Sequence, residues 1–546
     1  MKTLKLIPLF FIFLSSFTTA QNLNVTLRSH LQYTGQTCAN ICGYVDSLGN
    51  EYALLGASHG LSIVDVTNPS LPVEVYHHVA PVSNLWQEIK VRGHYAYTTT
   101  EGGGGLKIFN LRSLPDTSGI MMHYYTGDST AAGNMANSLN TIHALHIDGH
   151  YVYLYGGNFL NGCVKVLDIA DPWNPTYVGH YAYGINNQRY VHDGYVRNDT
   201  LYAAHIYPGF FSVVDFTDKS NPIVLNTQST PNFFTHNTWL STNSKTLFTT
   251  DEVTDSYLTS YDVSDLSNIT ELDKIQSNPG SGSIVHNTHI IRVAGNDYAV
   301  TSWYRDGFTI TDVGRPQNMV QVGNYDTYSG SGNGFDGSWG VYPYLPSGTI
   351  VVSNINEGLF VFTPNYVRAC YLEGTVTDSL TGFPINAANV SILTTSVTDS
   401  SNFSGDYKMG LPSPGATYTV TYSKAGYNSK TISNVVLSAG VVTSENVQLT
   451  PIGFSVNEIS DNTNSLSIYP NPFTEETTIQ YELKNKTQPE ACLMITDIAG
   501  RLVASLPVKE HRGSIHLDSS LIPGVYFIRL HNGKDISAPL KVVKLK

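Results

Sequence analysis

Short runs of β-branched and aromatic residues, partly alternating with polar ones, recur along the first two thirds of the chain. No convincing 3.6-residue periodicity lies between them. One run repeats seven times: GLSIVDV at 60–66, GLKIFNL at 105–111, CVKVLDI at 163–169, FFSVVDF at 210–216, YLTSYDV at 257–263, GFTITDV at 307–313 and GLFVFTP at 358–364. Each copy predicts a strand. Asp65, Asn110, Asp168, Asp215, Asp262, Asp312 and Thr363 take the aligned position, spaced by 45, 58, 47, 47, 50 and 51 residues. Turn residues follow, as in Thr67-Asn68-Pro69, Asp171-Pro172 and Asn221-Pro222, and a further strand precedes, as in Tyr95-Ala96-Tyr97 and Tyr151-Val152-Tyr153. A unit of about 45–50 residues holds four short strands with turns, the period of a propeller blade. Seven copies predict about seven blades, with the first and last units able to share one. A closed ring removes exposed sheet edges, and solenoid repeats are usually shorter. The recurrent Asp reads as structural: its carboxylate can accept from backbone N–H groups in the next turn, and Asn110 can do the same.

Composition narrows the class. The 546 residues are 41% hydrophobic, 11% aromatic and 13% charged, with 46 Gly and 35 Tyr. That balance suits neither a coiled coil nor a charge-rich disordered chain, and the length suits three or four domains. A net charge of -13 argues against nucleic acid as a partner. Residues 21–367 hold 14 Lys+Arg against 28 Asp+Glu and 15 of the 18 His, so site chemistry is expected there; residues 368–450 hold no His.

The N-terminus predicts a secretory signal peptide over residues 1–20: Lys2 and Lys5, an apolar run from Leu6 to Phe17, then Thr18-Thr19-Ala20. No later segment approaches 18 continuous apolar residues, so no transmembrane segment is expected. Cys38 and Cys42 are close enough in sequence to pair in an oxidising compartment, whereas Cys163, Cys370 and Cys492 read as small buried hydrophobes.

Candidate chemistry lies in a second repeated feature. NTIHALHI at 140–147, RYVHDGYV at 189–196, FFTHNTWL at 233–240 and SIVHNTHI at 283–290 place His143, His192, His236 and His286 at equivalent points of four successive blades. NLWQEIKV at 84–91 and GSWGVYP at 337–343 take that place elsewhere. If these are innermost strands, four imidazoles approach one axis. The following loops add His59, Glu101, His205, Asp251 and Glu252. Neutral imidazoles and carboxylates ligate divalent metal or do acid–base work near neutral pH, but repeat equivalence alone would also ring a channel with one residue type. Two readings stay open: a binding platform, or a metal-dependent hydrolase or lyase with the four His as ligands and Asp251 or Glu252 as base. A third is surface structure without a ligand. No HExxH, CxxC, GxSxG or Walker motif is present, and a divalent metal in the channel is the one cofactor suggested. Trp86, Trp239, Trp303 and Trp339 are of a kind that can stack on sugars, but they read first as core.

The stretches NEYALLGASHGLSIVDVTNPSLPVEV, SNLWQEIKV, RYVHDGYV, YRDGFTITDV and SGTIVVSNINEGLFVF resemble the choice-of-anchor B family of LVIVD-type repeats. The resemblance implies a β-propeller over residues 21–367 and no established activity. Ile41-Cys42-Gly43 departs from the Ile-Trp-Gly common in that family. Residues 368–450, with LEGTVTDSLTGFPINAANVSI and NFSGDYKMGLPSPGATYTVTYSKAGY, resemble the carboxypeptidase regulatory-like domain, a non-catalytic sandwich. Residues 451–465 read as a polar linker. Residues 466–546 resemble the type A C-terminal sorting domain of type IX secretion, on Tyr469-Pro470-Asn471-Pro472, Asp497-Ile498-Ala499-Gly500-Arg501 and Gly524-Val525-Tyr526. That resemblance implies contact with the outer-membrane translocon and a sorting peptidase, then release or attachment to surface lipopolysaccharide. The expectation is an all-β, secreted or cell-surface protein of a Gram-negative bacterium: a propeller of about seven blades plus two small antiparallel sandwiches, with an unknown glycan, protein or small ligand on the propeller.

Overall fold

The computed structural model describes residues 22–127, 139–330, 332, 334–412, 414–452, 464–518 and 520–546. The expected signal peptide, and the expected linker apart from its ends, lie outside them. The chain divides into two compact units, one up to Thr450 and one from Pro451.

The first unit opens with seven four-stranded antiparallel sheets. Six are built from consecutive strands. The seventh takes its outermost strand, Val25–Leu31, from the N-terminus and its other three, Ser338–Tyr342, Ile350–Asn354 and Gly358–Pro364, from the end of the repeat region. The innermost strands are Cys38–Val45, Gln87–Arg92, Ala144–Asp148, Asp193–Arg197, Thr235–Leu240, Thr288–Val293 and Ser338–Tyr342. Each touches the next, and the last touches the first, so the ring is closed. The repeated run is the third strand of its blade, and in six of its seven copies the aligned residue caps the following turn. Thr67 N donates to Asp65 Oδ1 at 2.9 Å, Arg112 N to Asn110 Oδ1 at 3.0 Å, Ala170 N to Asp168 Oδ1 at 2.7 Å and Thr217 N to Asp215 Oδ1 at 2.8 Å. Ser264 N to Asp262 Oδ1 at 2.8 Å and Gly314 N to Asp312 Oδ1 at 3.0 Å complete the set. The spacing from donor to acceptor is constant because the side chain imitates a backbone turn.

The five cysteines are free. Cys38 and Cys42 lie four residues apart on one extended strand, about 13 Å at the usual rise per residue and beyond disulfide reach. Burial pushes both thiols up to about 12. Cys163 and Cys370 are buried; Cys492 is half-buried.

Residues 369–450 form a sandwich of one antiparallel sheet and one mixed sheet, in which Ala369–Asp378 pairs parallel with Val442–Ser444 and with the strand that begins at Val447, around a core that includes Leu372, Val390, Tyr407, Val420 and Leu449. It is docked on the propeller rather than tethered to it. Asp312, fully buried, caps its own turn and also accepts from Ala369 N at 2.8 Å and Arg368 Nε at 3.2 Å. Arg315 grips both Glu373 oxygens at 2.8 Å, and Lys408 Nζ meets Asp273 at 2.8 Å. Ala369 and Tyr371 join an apolar cluster with Val320, Val322 and Phe362.

The second unit pairs a three-stranded sheet with a five-stranded one around Ile479, Leu493, Ile495, Ile528 and Val542. Its sequence motifs have local reasons. Asn471 donates to Lys541 O at 2.7 Å and accepts from Val543 N at 2.9 Å, pinning the first strand to the last. Asp497 accepts from the backbone of Ala499 and Arg501, closing a turn in which Gly500 has φ +78. The basic C-terminus is not uniformly exposed: Lys544 is buried, with its ammonium bonded to Thr474 O and 4.8 Å from the Phe473 ring centroid.

Candidate functional site

The four predicted histidines stand at the entry of innermost strands and stack side to side around the axis. Ring centroids are 4.1 Å apart for His143–His192, 4.3 Å for His192–His236 and 4.2 Å for His236–His286, and Trp339 continues the arc at 4.8 Å. The close spacing follows from ring closure: neighbouring blades bring equivalent side chains together at the hub. Between them lies a cavity of about 20 Å³, walled by His143, His192, His236, His286, Asp193 and Asn287 among others. That is room for one water or one bare ion.

The imidazoles are held in a defined sense. His192 Nδ1 donates to His236 O at 3.2 Å, and His286 Nδ1 donates to Trp339 O at 2.6 Å. A carbonyl can only accept, so both rings keep a free lone pair on Nε2. The His286 carbonyl lies in the same relation to His236. It already accepts from Thr250 Oγ1 at 2.6 Å, however, and His236 Nδ1 makes no hydrogen bond. Burial, then repulsion from neighbouring histidines, holds His192 and His236 well below the usual imidazole range; burial brings His286 down to about 3. All three are neutral at physiological pH.

Glu252 approaches the histidines from the loop after the second strand of the fifth blade, and it does not wall that cavity. Its oxygens lie 3.8 Å from His236 Nε2 and 3.8 Å from His286 Nε2, and Tyr304 Oη donates to it. Burial pushes its carboxyl up to about 7, against the Tyr304 hydrogen bond, which favours the anion. One ligand atom each from His192, His236 and Glu252 fall within 4.8 Å of one another, a spacing that one metal ion can span.

The remaining predicted residues are distributed differently. His143 sits in the arc but turns Nδ1 to Glu101 at 2.7 Å. Asp251 is fully buried and does not join the cluster. It accepts from Thr230 Oγ1 at 2.5 Å, Asn232 N at 3.0 Å and Phe234 N at 3.2 Å, and so braces the loop entering the fifth blade. A base with its oxygens engaged in this way has no route to a ligand on the axis. His205, also fully buried, joins Gln188 O and Ser212 Oγ, and His59 is exposed.

Two further tiers were not anticipated. One residue along the innermost strands, Asn40 and Lys90 donate to Glu88, and Asn237 donates to Asp193 at 2.7 Å. Burial, with Glu88 nearby, pushes Asp193 up to about 6. Three residues along, His146, Tyr195, Trp239 and His289 stack at 4.8, 4.7 and 4.3 Å. The signal for this tier was present in the paired HALH and HNTH sequences, whose histidines sit three apart.

Comparison with known proteins gives three matches. Residues 47–78 match the LVIVD repeat, residues 371–450 the carboxypeptidase regulatory-like domain, and residues 467–544 the secretion system C-terminal sorting domain. They agree with the domain architecture read from the sequence. No curated protein matches the chain. Among solved structures, the β-propeller domain of Cps50 (Swd1) from Myceliophteria thermophila covers 62% of this chain and 99% of its own length, at 10% identity and a TM-score of 0.44. The sorting domain marks an exported protein of the extracellular space or outer-membrane surface. Among the described residues no helix is long and apolar enough to cross a membrane.

Proposed function

We propose that the propeller is a binding platform displayed outside the cell, and that it works through a divalent-metal centre at its mouth. His192, His236 and Glu252 are the ligands, and His286 stands beside them. The convergence of one ligand atom from each of those three side chains within 4.8 Å carries the reading. The chemistry supports it: neutral imidazoles are the ligating form, and backbone carbonyls on the far nitrogens of His192 and His286 orient the rings as an outer shell does. Three protein ligands leave a coordination position for a ligand's oxygen or nitrogen.

The full chain, stripped with a chelator and titrated with Zn²⁺ at pH 8, is expected to take up one equivalent. His236→Ala and Glu252→Gln are each expected to weaken uptake at least about a hundredfold. Glu252 must shed its proton to ligate, so affinity rises with pH up to about 7 and levels above it. Absence of uptake by the wild-type chain at pH 8 sinks the metal centre.

The second unit is the export tag in this reading, with the type IX translocon and sorting peptidase as partners and surface lipopolysaccharide as the anchor when the chain is retained. A chain lacking residues 466–546 is expected to accumulate in the periplasm on fractionation. Unchanged surface delivery would contradict the assignment.

A further inference from the structure

Beside the histidine arc, a groove of about 680 Å³ runs along the junction of the third and fourth blades. Three loops wall it: the one around Asn161, the connection carrying Asn186, Asn187 and Tyr190, and the one carrying Tyr207. Its volume suits a small-molecule ligand. We propose that this groove binds a neutral oligosaccharide, with a sugar face on Tyr207 and hydroxyls on the amides of Asn161, Asn186 and Asn187. The inference deepens the platform reading by naming its ligand class.

The lining has a single chemical character. None of its residues is charged, and the propeller segment around it is acidic, with 14 Lys+Arg against 28 Asp+Glu over residues 21–367. Both facts disfavour an anionic ligand. The three Asn side chains are exposed, and none is engaged in a hydrogen bond to the protein. Each offers donors and an acceptor, as a hydroxyl-rich ligand requires. Tyr207 is 58% exposed, so its ring is open to a ligand. Tyr190 tilts against it, with centroids 5.1 Å apart, and faces His192 at 6.3 Å on its other side. The Tyr190 ring is therefore a wall shared by groove and histidine arc.

The backbone is shaped to this end. Leu160, Asn161 and Asn186 hold φ values of +43°, +62° and +51°, a region that residues other than glycine seldom adopt. Gly156 and Gly162 make room for the Tyr190 ring: a Cβ at 162 would fall 2.3 Å from Tyr190 Cδ2, and one at 156 would fall 2.8 Å from its hydroxyl. The adjoining loop, tied to Gly209 through Thr230 N at 3.2 Å, displays Phe233 at 63% exposure with φ +54°.

Calorimetric titration of the full chain with soluble gluco-, manno-, galacto- and xylo-oligosaccharides is the test. At least one is expected to bind saturably. Tyr207→Ala should weaken it about tenfold, as should Asn186→Ala combined with Asn187→Ala, while Tyr207→Phe retains it. Zn²⁺ uptake, measured on the same samples, should be unchanged in all three. Silence from every sugar overturns the proposal, whether or not a peptide or anionic glycan binds instead. So does sugar binding that is indifferent to both groove variants. Loss of Zn²⁺ uptake with sugar binding intact would instead fall on the metal centre alone.

Discussion

Acidification from pH 7 to pH 5 is expected to destabilise the propeller. Six histidines, His146, His192, His205, His236, His286 and His289, are held below the usual imidazole range, and burial is the first cause in each. For each, the folded chain binds no proton near pH 5 while the unfolded chain binds one below about 6.5. A group depressed in this way favours the fold above 6.5 and withdraws that support as pH falls. Five carboxyls act in the opposite sense. Burial raises Glu252 to about 7 and Asp193 to about 6, and raises Asp251, Asp273 and Asp326 less far, so the folded chain keeps protons that the unfolded chain releases. Six imidazoles against these five leave roughly one to four extra protons on the unfolded chain between roughly pH 6 and 4.5. That is a loss of roughly 1–5 kcal/mol per pH unit, and total stabilities are about 5–15 kcal/mol. Circular-dichroism melts across pH 5 to 8 provide the check. A melting temperature flat from pH 7 to 5 would mean that these rings are not buried neutral. Excess Zn²⁺ should move the transition to lower pH, because a metal that binds only the folded chain opposes protonation of its ligands.

Removing residues 22–31 is expected to be comparably damaging. This segment supplies the fourth strand of the seventh blade, paired from Val25 with Pro364 to Leu31 with Leu359. It also reaches the sixth blade: Leu23 exchanges both backbone hydrogen bonds with Asn324 at 3.0 Å, and Asn24 Nδ2 donates to Val322 O at 2.7 Å. His30 stacks on Phe360 with centroids 4.0 Å apart. Much of the strand is exposed, so its main role is to cover Gly358–Pro364, whose Leu359, Val361 and Phe362 are fully buried. Ladder hydrogen bonds contribute about 1 kcal/mol each, so the pairing alone supports several kcal/mol. The bare apolar edge left behind would recruit other chains. Light scattering should report aggregates, and a synthetic peptide of residues 22–31 added during refolding should restore the monomer. A truncated chain that melts as the full one does would refute this role.

How much of this was legible in the sequence depends on the range of the forces involved. The third strands and their turns were readable because alternation and Asx-turn capping act within a few residues; Asp65 meets Thr67 two positions on. The histidine arc was readable one step further, since equivalent positions in a closed repeat must meet at the hub. Its chemistry was not. His143 was indistinguishable from His192 until Glu101 claimed it. Asp251 and Glu252 are neighbours in sequence, yet adjacent residues on extended backbone point opposite ways, so one braces a loop and the other reaches the axis. The Cys38–Cys42 spacing suggested a bond that the extended strand forbids.

The blades and their approximate number were legible from local periodicity and turn chemistry, and the order of the domains and the export tag from motifs that resemble known families. Folding in three dimensions was needed to show that the N-terminal strand completes the last blade, that Arg315 and Asp312 lock the middle sandwich to the ring, and that Glu252 joins His192 and His236. Those partners are tens to hundreds of residues apart. Only closure of the ring and burial of its charges select them from the many that the same composition would allow.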